Sequence, residues 1–560
     1  MDLWSAVGTL WDQASDGEPG LAAARASHLA SLADNEVERA ILLAERAMCE
    51  LLQCRYVDAT RSSLAAAEVA ENTTGELADD ARYFAAAVRL VAAGMLEPER
   101  SGIEMTLPFA ELAALQEYAR GLDRDRPEFL LLLFPVVEAS MSSGRFSEVE
   151  DLVTPVLPFR STDSQYAEVL TIFLEILVAR SLAFRGEIDA VTVLCTALIQ
   201  QPKIAAHPQA IMLAEALLCY AAAQRSDRRE VELRSASVLA EARRTVNYIA
   251  VGSCMLVTWS FSAIGQVQRA AALLVGSAGG AELPRIKTWD KSFGYELLVT
   301  AALRRGDLPA ARVWATLAAP LAAQPVATAA VERTLSRLAV ADGDHADAAT
   351  RATASARLDE LSGAKLEGLR ARVIYASALA SAGERDLAIQ TLANIAAEAD
   401  ALGATSVRKL AAREWRTLVK NEPSGEGGFA SLSDREREIA ILVAEGHTNR
   451  SIGSTLFLSE RTVQTHLSRI LSVMGLPSRT AIPAALGVGA HSFEAAALTE
   501  RQEQIAALVA RGHSNSHIAA ELGISVKTVE NHLAGIFTRW QVSSRTAVAN
   551  LFVARQRQSA

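Results

Sequence analysis

Residues 432–470 have the sequence LSDREREIAILVAEGHTNRSIGSTLFLSERTVQTHLSRI, and residues 498–536 have the related sequence LTERQEQIAALVARGHSNSHIAAELGISVKTVENHLAGI. When 432–482 and 498–548 are aligned without a gap, the two copies are identical at 22 of 51 positions. Self-similarity of this extent indicates a supersecondary unit that is repeated in tandem. The C-terminal part of the chain is therefore predicted to consist of two small, similar domains.

Each copy carries the local signals of four short helices. In the first copy, Ser433 followed by Glu436 is the pattern of a capping box, which satisfies the N–H groups at a helix start. Gly446 allows the left-handed conformation that ends this helix. In the second helix, Gly453 leaves room for the next helix to cross closely, and Ser459 then caps a third helix. The second copy repeats most of these signals at an offset of 66 residues.

The third helix of each copy has one apolar face and one polar face. Val463, Leu467 and Ile470 recur at helical spacing and predict the buried face. A tight turn between two helices, the second of which exposes polar side chains from its N-terminal half, is the geometry that enters the major groove of DNA. Amide and hydroxyl groups pair there with base edges, whereas Arg, Lys and helix N-termini bind phosphates. The residues predicted to contact double-stranded DNA are Asn449, Arg450, Ser459, Arg461, Thr462, Gln464, Thr465, Ser468, Arg469 and Arg479 in the first copy, and Asn515, Ser525, Lys527, Thr528, Glu530, Asn531, Ala534, Arg539 and Arg545 in the second.

The two copies closely resemble the LuxR-type helix-turn-helix domain of bacterial transcription regulators. They keep nearly all of its pattern, which is L-[ST]-x-R-E-x-E, then G-x-[ST]-N-x-x-I-A, then S-x-x-T-V-x-x-H-x-x-x-I, then R-T-x-A. The resemblance covers about 120 residues. It implies that the second and third helices form the DNA-binding pair and that the fourth supports pairing of two such domains.

The body that precedes these domains resembles the helical region of the large LuxR-type regulators related to the maltose activator. Those regulators usually carry a nucleotide-hydrolysing domain as well. This sequence contains no G-x-x-x-x-G-K-[ST] phosphate-binding loop, so that domain is expected to be missing. We therefore expect no ATP dependence and no cofactor.

The two copies depart from the family pattern in different ways. Gln502 and Gln504 replace two family glutamates in the second copy, so Gln502 still suits a capping box but cannot form an ion pair. Val473 occupies a position where the family usually has Lys, whereas Arg539 keeps the charge in the second copy. Glu530 repels phosphate but can accept a hydrogen bond from a cytosine amino group. The two domains are therefore expected to recognise different half-sites.

The first 420 or so residues carry a loose repeat in which a glycine separates two apolar helical stretches. The repeat is centred on Gly144, Gly186, Gly265, Gly306, Gly343 and Gly383. The first interval after Gly186 is 79 residues long and holds two units, with a turn near Arg225 and Ser226 that lacks glycine, and the following intervals are 41, 37 and 40 residues. A period of about 40 residues predicts a solenoid of helical hairpins. A non-repetitive, Ala-rich helical array is the alternative.

Together these features predict an all-α protein with five segments. They are a helical-hairpin, tetratricopeptide-like solenoid over residues 1–421, a linker over 422–430, a first four-helix LuxR-type domain over 431–490, a linker over 491–497 and a second such domain over 498–556. The likeness to tetratricopeptide repeats concerns helix pairing alone, because the period exceeds 34 residues and the Trp/Tyr signature is missing.

The net charge of −10 is unevenly distributed, which is consistent with a DNA-binding tail on an acidic body. Residues 431–560 hold 13 Lys and Arg against 10 Asp and Glu, whereas residues 1–430 hold 42 against 55. The five cysteines are scattered through apolar segments and are predicted to be reduced core thiols. The sequence has no apolar run of about 18 residues and does not begin like a signal peptide, so we expect a cytoplasmic protein that does not associate with membranes.

No catalytic or metal-binding signature is recognised, so the protein is expected not to be an enzyme and to bind no metal. His466 and His532 are predicted to be structural or to face phosphates, because neither has a second ligand at suitable spacing. His447 and His513 follow the glycines that end the first helices, and they are predicted only to cap them.

The role of the helical body is the open part of the sequence analysis. Its segment 281–295 departs from the repeat and gathers Trp289, Phe293 and Tyr295. This cluster is either a site for an unknown small-molecule or protein effector or an aromatic cap over the solenoid core. RNA polymerase is a further expected partner. The alternative to a regulator is an interaction scaffold in which one or both C-terminal domains no longer bind DNA.

Overall fold

The computed structural model of this protein describes residues 3–15, 17–75, 77–95, 109–126, 128–157, 165–322, 324–420, 429, 432–456, 458–474, 476, 478–486, 498–540, 545, 548–549 and 552. All regular secondary structure within these residues is helical, which confirms the all-α fold class. The chain divides into two compact units, Met1–Leu418 and Val419–Ala560. The predicted linkers fall almost entirely outside the described residues, and the predicted domain boundaries stay predictions.

The first unit is an array of helices joined by short turns. The helices are α1 (Leu3–Ser15), α2 (Pro19–Ser31), α3 (Glu36–Leu52), α4 (Tyr56–Glu71), α5 (Ala78–Ala93), α6 (Phe109–Gly121), α7 (Phe129–Ser142), α8 (Phe146–Val153), α9 (Gln165–Arg185), α10 (Ile188–Ile199), α11 (Pro208–Gln224), α12 (Arg228–Ala242), α13 (Tyr248–Ala263), α14 (Val267–Ser277), α15 (Thr288–Arg304), α16 (Leu308–Ala318), α17 (Pro325–Asp342), α18 (His345–Leu361), α19 (Lys365–Ser381), α20 (Arg385–Ala401) and α21 (Thr405–Lys420). Most helices pack against the next helix along the chain, and many pack against the one after it. This packing agrees with stacked helical hairpins, and the tetratricopeptide-like character of the array stays a prediction.

The turns of the predicted repeat lie where the sequence placed them. All six glycines of the repeat have positive φ, from +72° at Gly306 to +92° at Gly383. The turn without glycine is formed by Ser226, whose φ is +61°. Because a positive φ is unfavourable for residues with a side chain, glycine is the preferred residue at such a helix end. The prediction of glycine-centred turns is therefore confirmed.

Contacts also join parts of this unit that are about 180 residues apart in sequence. The Ser406 hydroxyl donates a hydrogen bond to Gln224 Oε1 at 2.6 Å, across 182 residues. A Cβ placed on Gly144 would lie 2.5 Å from Cγ2 of Val326. A Cβ placed on Gly186 would lie 3.1 Å from Cγ of Leu366. The hairpins therefore wind into a superhelix in which residues about 180 positions apart touch. Two of the hairpin glycines, Gly144 and Gly186, also leave room for these contacts.

The aromatic residues that the sequence analysis singled out lie in the core of this unit. Trp289, Phe293 and Tyr295 are 2%, 8% and 2% exposed. The rings of Trp289 and Phe293 lie 5.8 Å apart and both contact Phe184, and Tyr295 stacks on Trp314 with ring centroids 6.2 Å apart. An effector that bound here would have to displace these packed rings. The packing therefore favours an aromatic cap, and the effector site at these residues stays an untested prediction.

Charged side chains are also buried in the core of this unit. Arg333 is fully buried, and its guanidinium lies 3.0 Å from Glu296 Oε2 and 2.6 Å from Asp359 Oδ2. Burial raises the pKa of Asp359 to about 7, although Arg333 acts in the opposite direction. Lys287 lies 3.8 Å from Glu138 Oε1, and burial lowers the pKa of this lysine to about 8. The core of the body thus holds ion pairs that an Ala-rich pattern does not indicate.

The second unit contains two short helical domains, called here the first head (432–486) and the second head (498–552). The helices of the first head are α22 (Asp434–Ala444), α23 (Asn449–Leu456), α24 (Glu460–Met474) and α25 (Ile482–Ala485), and those of the second are α26 (Glu500–Ala510), α27 (Asn515–Leu522) and α28 (Val526–Trp540). Each head has its own apolar core. A fourth helix is seen in the first head, whereas most of its counterpart in the second lies outside the described residues.

Candidate nucleic-acid interface

Both heads begin with the capping box that the sequence predicts. In the first head the Ser433 amide donates to Glu436 Oε2 at 2.8 Å, and the Glu436 amide donates to Ser433 Oγ at 3.4 Å. In the second head the Thr499 amide donates to Gln502 Oε1 at 3.1 Å, and the return bond is 3.3 Å. Gln502 therefore completes a capping box without a charge, as expected. These boxes fix the start of the first helix, against which the second and third helices pack.

The second helix crosses the start of the third at very short range. A Cβ added to Gly453 would lie 2.7 Å from the carbonyl oxygen of Leu458, so only glycine fits at this point of the first head. The second head has Ala519 at the aligned position, and there Gly523 ends α27 with φ of +64°. The first head therefore makes this crossing with glycine and the second with alanine, which confirms the predicted need for a small residue in the first head.

The third helix turns its apolar face inward and its polar face outward in both heads. Val463, Leu467 and Ile470 are almost completely buried, and the aligned residues of the second head are buried as well. The exposed residues on the opposite side are Arg461, Gln464, Thr465, Ser468 and Arg469 in α24, and Lys527, Glu530, Asn531, Ala534 and Arg539 in α28. The structure therefore brings these predicted residues together on one solvent-facing surface in each head.

The hydroxyl groups near the start of the third helix cap that helix. Ser459 Oγ accepts from the Thr462 amide at 3.1 Å, and the two hydroxyls are 2.7 Å apart. Ser525 and Thr528 repeat this arrangement at 3.1 Å and 2.8 Å. The predicted caps are confirmed, and all four residues lie at the N-terminus of the exposed helix, where a phosphate is favoured by the helix dipole.

An arginine after the third helix holds the start of the second helix in each head. Arg545 Nη1 donates to Asn515 Oδ1 at 2.6 Å, and its Nη2 donates to the carbonyl oxygen of His513. In the first head Arg479 makes the same two bonds, to Asn449 and to the His447 carbonyl. Burial lowers the pKa of both guanidiniums. Four of the predicted DNA-contacting residues thus hold each other in place, and this clamp orients α23 and α27.

A second arginine, which the sequence analysis did not assign, holds the other end of the second helix. Arg501 Nη2 donates to the carbonyl oxygen of Leu522 at 2.6 Å, and Arg435 donates to the carbonyl oxygen of Leu456 in the same way. The last carbonyls of a helix lack partners within the helix, so a guanidinium there satisfies a backbone acceptor. The signal in the sequence was the arginine that both copies share at the second position of the first helix.

The capping-box residues Glu436 and Gln502 are each contacted by an arginine of the third helix. The two arginines lie at different positions along that helix in the two heads. In the first head Arg469 Nε lies 3.0 Å from Glu436 Oε1. The hydrogen bonds from Ser433, and then the charge of Arg469, hold the pKa of Glu436 below its usual value. In the second head Arg539 Nη1 donates to Gln502 Oε1 at 3.2 Å. The aligned position of Arg469 is Gly535 there, so the arginine is displaced by one helical turn.

The polar faces of the two third helices differ in their hydrogen bonding. In the first head Asn449 Nδ2 donates to Gln464 Oε1 at 2.6 Å, so the clamp of Arg479 extends to a predicted base-contacting side chain. In the second head Glu530 Oε2 lies 3.6 Å from Lys527 Nζ. One head therefore presents an oriented amide and the other presents a carboxylate beside an ammonium group. Arg450, also predicted to contact DNA, is exposed at the start of α23.

Two segments of this chain match the family model described as bacterial regulatory proteins, luxR family, over residues 430–484 and 496–552. A putative HTH-type transcriptional regulator of Mycobacterium tuberculosis, Rv0890c, is 50% identical over 52 residues, which are 9% of this chain and 6% of that protein. The Bacillus subtilis transcriptional regulatory protein LiaR is 43% identical over 67 residues, 12% of this chain and 32% of that protein. The M. tuberculosis DNA-binding transcriptional activator DevR/DosR is 40% identical over 52 residues, 9% and 24% of the two chains.

These similarities span less than a third of each of the three relatives. Among the described residues, no helix is both long enough and apolar enough to cross a membrane. The helical body is consistent with the large LuxR-type regulators, and the matched segments coincide with the two heads. The C-terminal part of this chain therefore consists of two helix-turn-helix domains of the luxR family of bacterial regulatory proteins.

Proposed function

We propose that this protein is a sequence-specific transcription regulator in which both heads bind double-stranded DNA and recognise different half-sites. The observation that supports the proposal most directly is the exposed polar face of α24 and of α28, each laid over a buried apolar face. That arrangement presents amides, hydroxyls and cations from a helix that follows a tight turn, as DNA-binding helix-turn-helix domains do. The family match supports the same conclusion.

Different half-sites are proposed because the two exposed faces carry different chemistry. Gln464 and Thr465 offer an amide and a hydroxyl in the first head. Glu530 and Asn531 offer a carboxylate and an amide in the second, with Lys527 beside them. Amides suit adenine, whereas a carboxylate accepts a hydrogen bond from the amino group of cytosine. A site with two identical halves would therefore satisfy only one of the heads.

The two heads are proposed to act on neighbouring turns of one DNA duplex. The segment 487–497 between them has 11 residues, which span at most about 36–40 Å when extended. Half-sites one helical turn apart are separated by about 34–36 Å. Binding of one head then raises the local concentration of the other to roughly the millimolar range.

The helical body is proposed to bind a small-molecule or protein effector and to act by binding alone, without catalysis. The proposal is supported by the superhelical stack of hairpins, since such arrays offer extended surfaces for partners. RNA polymerase is proposed as a partner at the promoter, and the cytoplasm as the location. Bound DNA and a bound effector would then be coupled through the chain.

The test is DNA binding by the full-length protein, measured by fluorescence anisotropy over a series of salt concentrations. We expect the region upstream of the protein's own gene to be bound at least about 10³-fold more tightly than random DNA. Replacing Gln464 and Thr465 with Ala should relax specificity at one half-site by about 1–3 kcal/mol, and Asn531→Ala should do so at the other. Arg461→Ala should weaken binding to all sequences and lower the salt slope by about 1.

Arg244→Ala serves as the charge-matched control, because this side chain is 76% exposed in the body and pairs only with its neighbour Glu241 among the ion pairs described. It should leave affinity and salt slope unchanged. Equal affinity for promoter and random DNA would overturn the proposal and would favour an interaction scaffold with degenerate heads. If the wild-type protein discriminates between base sequences at only one of the two half-sites, only one head recognises DNA.

A further inference from the structure

The second head carries a cluster of metal-ligating side chains along α27. His513, His517 and Glu521 lie at successive positions four residues apart, and one ligand atom of each lies within 4.8 Å of the others. The two imidazole rings are stacked with centroids 4.5 Å apart, and His517 Nε2 is 3.6 Å from Glu521 Oε2. His517 and Glu521 share one face of the helix because they are four residues apart. His513 precedes the helix by two residues, and the stacking of its ring on His517 places it beside that face.

We propose that His513, His517 and Glu521 form a binding site for a divalent transition-metal ion such as Zn²⁺. Two imidazole nitrogens and one carboxylate oxygen are a ligand set that zinc accepts, and three protein ligands leave one coordination position for water. From the sequence alone no metal ligand is predicted here, and His513 is expected only to cap a helix. The spacing H-x-x-x-H-x-x-x-E was the signal that could have indicated the site.

The geometry needs only a small adjustment to hold an ion. Zinc bonds near 2.0–2.1 Å in a tetrahedron place ligand atoms about 3.4 Å apart, so the separations between the three ligand atoms must shorten by up to about 1.4 Å. The side chains of His517 and Glu521 are 59% and 45% exposed, which leaves them room to change rotamer. His513 is already positioned, because Arg545 donates to its carbonyl oxygen and fixes the backbone from which the ring projects.

The first head supplies the comparison that separates a site from a chance cluster. Its aligned residues are His447, Ser451 and Thr455, and His447 Nδ1 lies 3.1 Å from Ser451 Oγ. The backbone is therefore the same, but two of the three ligands are missing. The proposal assigns one ion to the second head and none to the first, and the ion would join His513, which precedes the N-cap of α27, to His517 and Glu521 within the helix.

The experiment measures zinc binding by the full-length protein with isothermal titration calorimetry, and the visible spectrum of the Co²⁺-substituted protein reports the ligands. Wild-type protein should bind one equivalent of Zn²⁺. His517→Ser and Glu521→Thr, which install the residues of the first head, should each weaken binding at least tenfold. The double variant Ser451→His with Thr455→Glu should add a second equivalent, because His447 is in place.

Zinc should also slow hydrogen exchange of the amides in residues 513–522 of the wild-type protein and leave the exchange of the His517→Ser variant unchanged, since an ion that binds only the folded head stabilises it. Circular dichroism would verify that each variant is folded. The proposal would be overturned by a wild-type protein that binds no zinc. It would equally be overturned by a His517→Ser variant that keeps the wild-type affinity and stoichiometry.

Discussion

Arg545 donates a hydrogen bond to Asn515 across the second head, from Nη1 to Oδ1 at 2.6 Å, and thereby ties the residue after the third helix to the start of the second. Because the same guanidinium also bonds the His513 carbonyl, one planar fork holds a backbone oxygen before α27 and the side chain of its first residue. Both residues are predicted DNA contacts, and in the structure they also hold the start of α27 in position.

Replacing Arg545 with Lys should loosen the start of α27 while keeping the charge. A single ammonium group cannot reproduce the two-point fork, so one partly buried acceptor loses its partner at a cost of about 1 kcal/mol. Hydrogen exchange of the full-length protein should become faster in residues 513–522, and affinity for the second half-site should fall. Arg511→Lys, at an exposed position just before this segment, is the control and should change neither. Unchanged exchange in Arg545→Lys would show that the fork is dispensable.

Replacing Glu530 with Gln should raise the affinity of the second head for DNA and lower its selectivity. The carboxylate of Glu530 repels phosphates and lies 3.6 Å from Lys527 Nζ, so its removal frees the ammonium group for phosphate binding. We expect affinity for random DNA to rise about 3- to 10-fold at low salt, a change of about 1 kcal/mol. Anisotropy titrations with promoter and random duplexes measure both effects. If selectivity is retained, Glu530 does not contact a base.

Replacing Arg333 with Met should strongly destabilise the helical body. Its guanidinium is fully buried between Glu296 and Asp359. Glu296 keeps a second cation, Arg337 at 3.4 Å, so the substitution leaves the buried Asp359 without its cation. Removing one partner of a buried ion pair costs about 3–5 kcal/mol. The exposed pair of Arg312 with Asp342 is the control, and Arg312→Met should cost no more than about 1 kcal/mol. Urea unfolding followed by circular dichroism distinguishes the two, and equal midpoints would contradict the prediction.

The N-terminal part of the body should lose stability as pH rises, because of Glu45. This side chain is 1% exposed, and burial raises its pKa from 4.5 to about 8. Between these two values the folded chain binds more protons than the unfolded chain, so the stabilisation is complete below about pH 4.5 and is lost as pH rises through about 8. One such group contributes a slope of up to about 1.4 kcal/mol per pH unit.

Glu45→Gln should remove that slope. Its melting temperature, measured by circular dichroism, should equal that of the wild type near pH 5 and exceed it by several degrees near pH 8.5. The exposed Glu68 offers the matched control, and Glu68→Gln should follow the wild-type curve at both values. A wild-type protein whose melting temperature does not fall between pH 5 and pH 8.5 would contradict the assignment.

The heads were predictable because their signals are local and occur twice. The buried faces of α24 and α28 follow from a spacing of three and four residues, and the capping box at Ser433 follows from two residues three apart. In the body, the turn at Ser226 was predicted without a glycine because the neighbouring turns set the period. Helix starts, helix ends and apolar faces are short-range properties that a single sequence records.

The clamps and buried ion pairs were not predictable because they join residues that no local pattern relates. Arg501 satisfies a backbone carbonyl 21 residues away, and a carbonyl leaves no mark in the sequence. Arg333 lies in an Ala-rich helix, where an arginine is normally expected at the surface. Its burial depends on Asp359 of the next helix, and only the packed structure places the two side chains together.

The contacts between successive turns of the superhelix constrain the length of the body. A solenoid whose repeats touch only their neighbours tolerates the insertion or deletion of a whole hairpin, because every remaining interface is preserved. Here the bond between Gln224 and Ser406 spans 182 residues, so the loss of one hairpin of about 40 residues between them would displace one partner by roughly a fifth of a turn. The contact of Gly144 with Val326 would be lost in the same event. The number of hairpins in a turn is therefore as much a part of the fold as their sequence, and homologous bodies should differ by substitution rather than by repeat number.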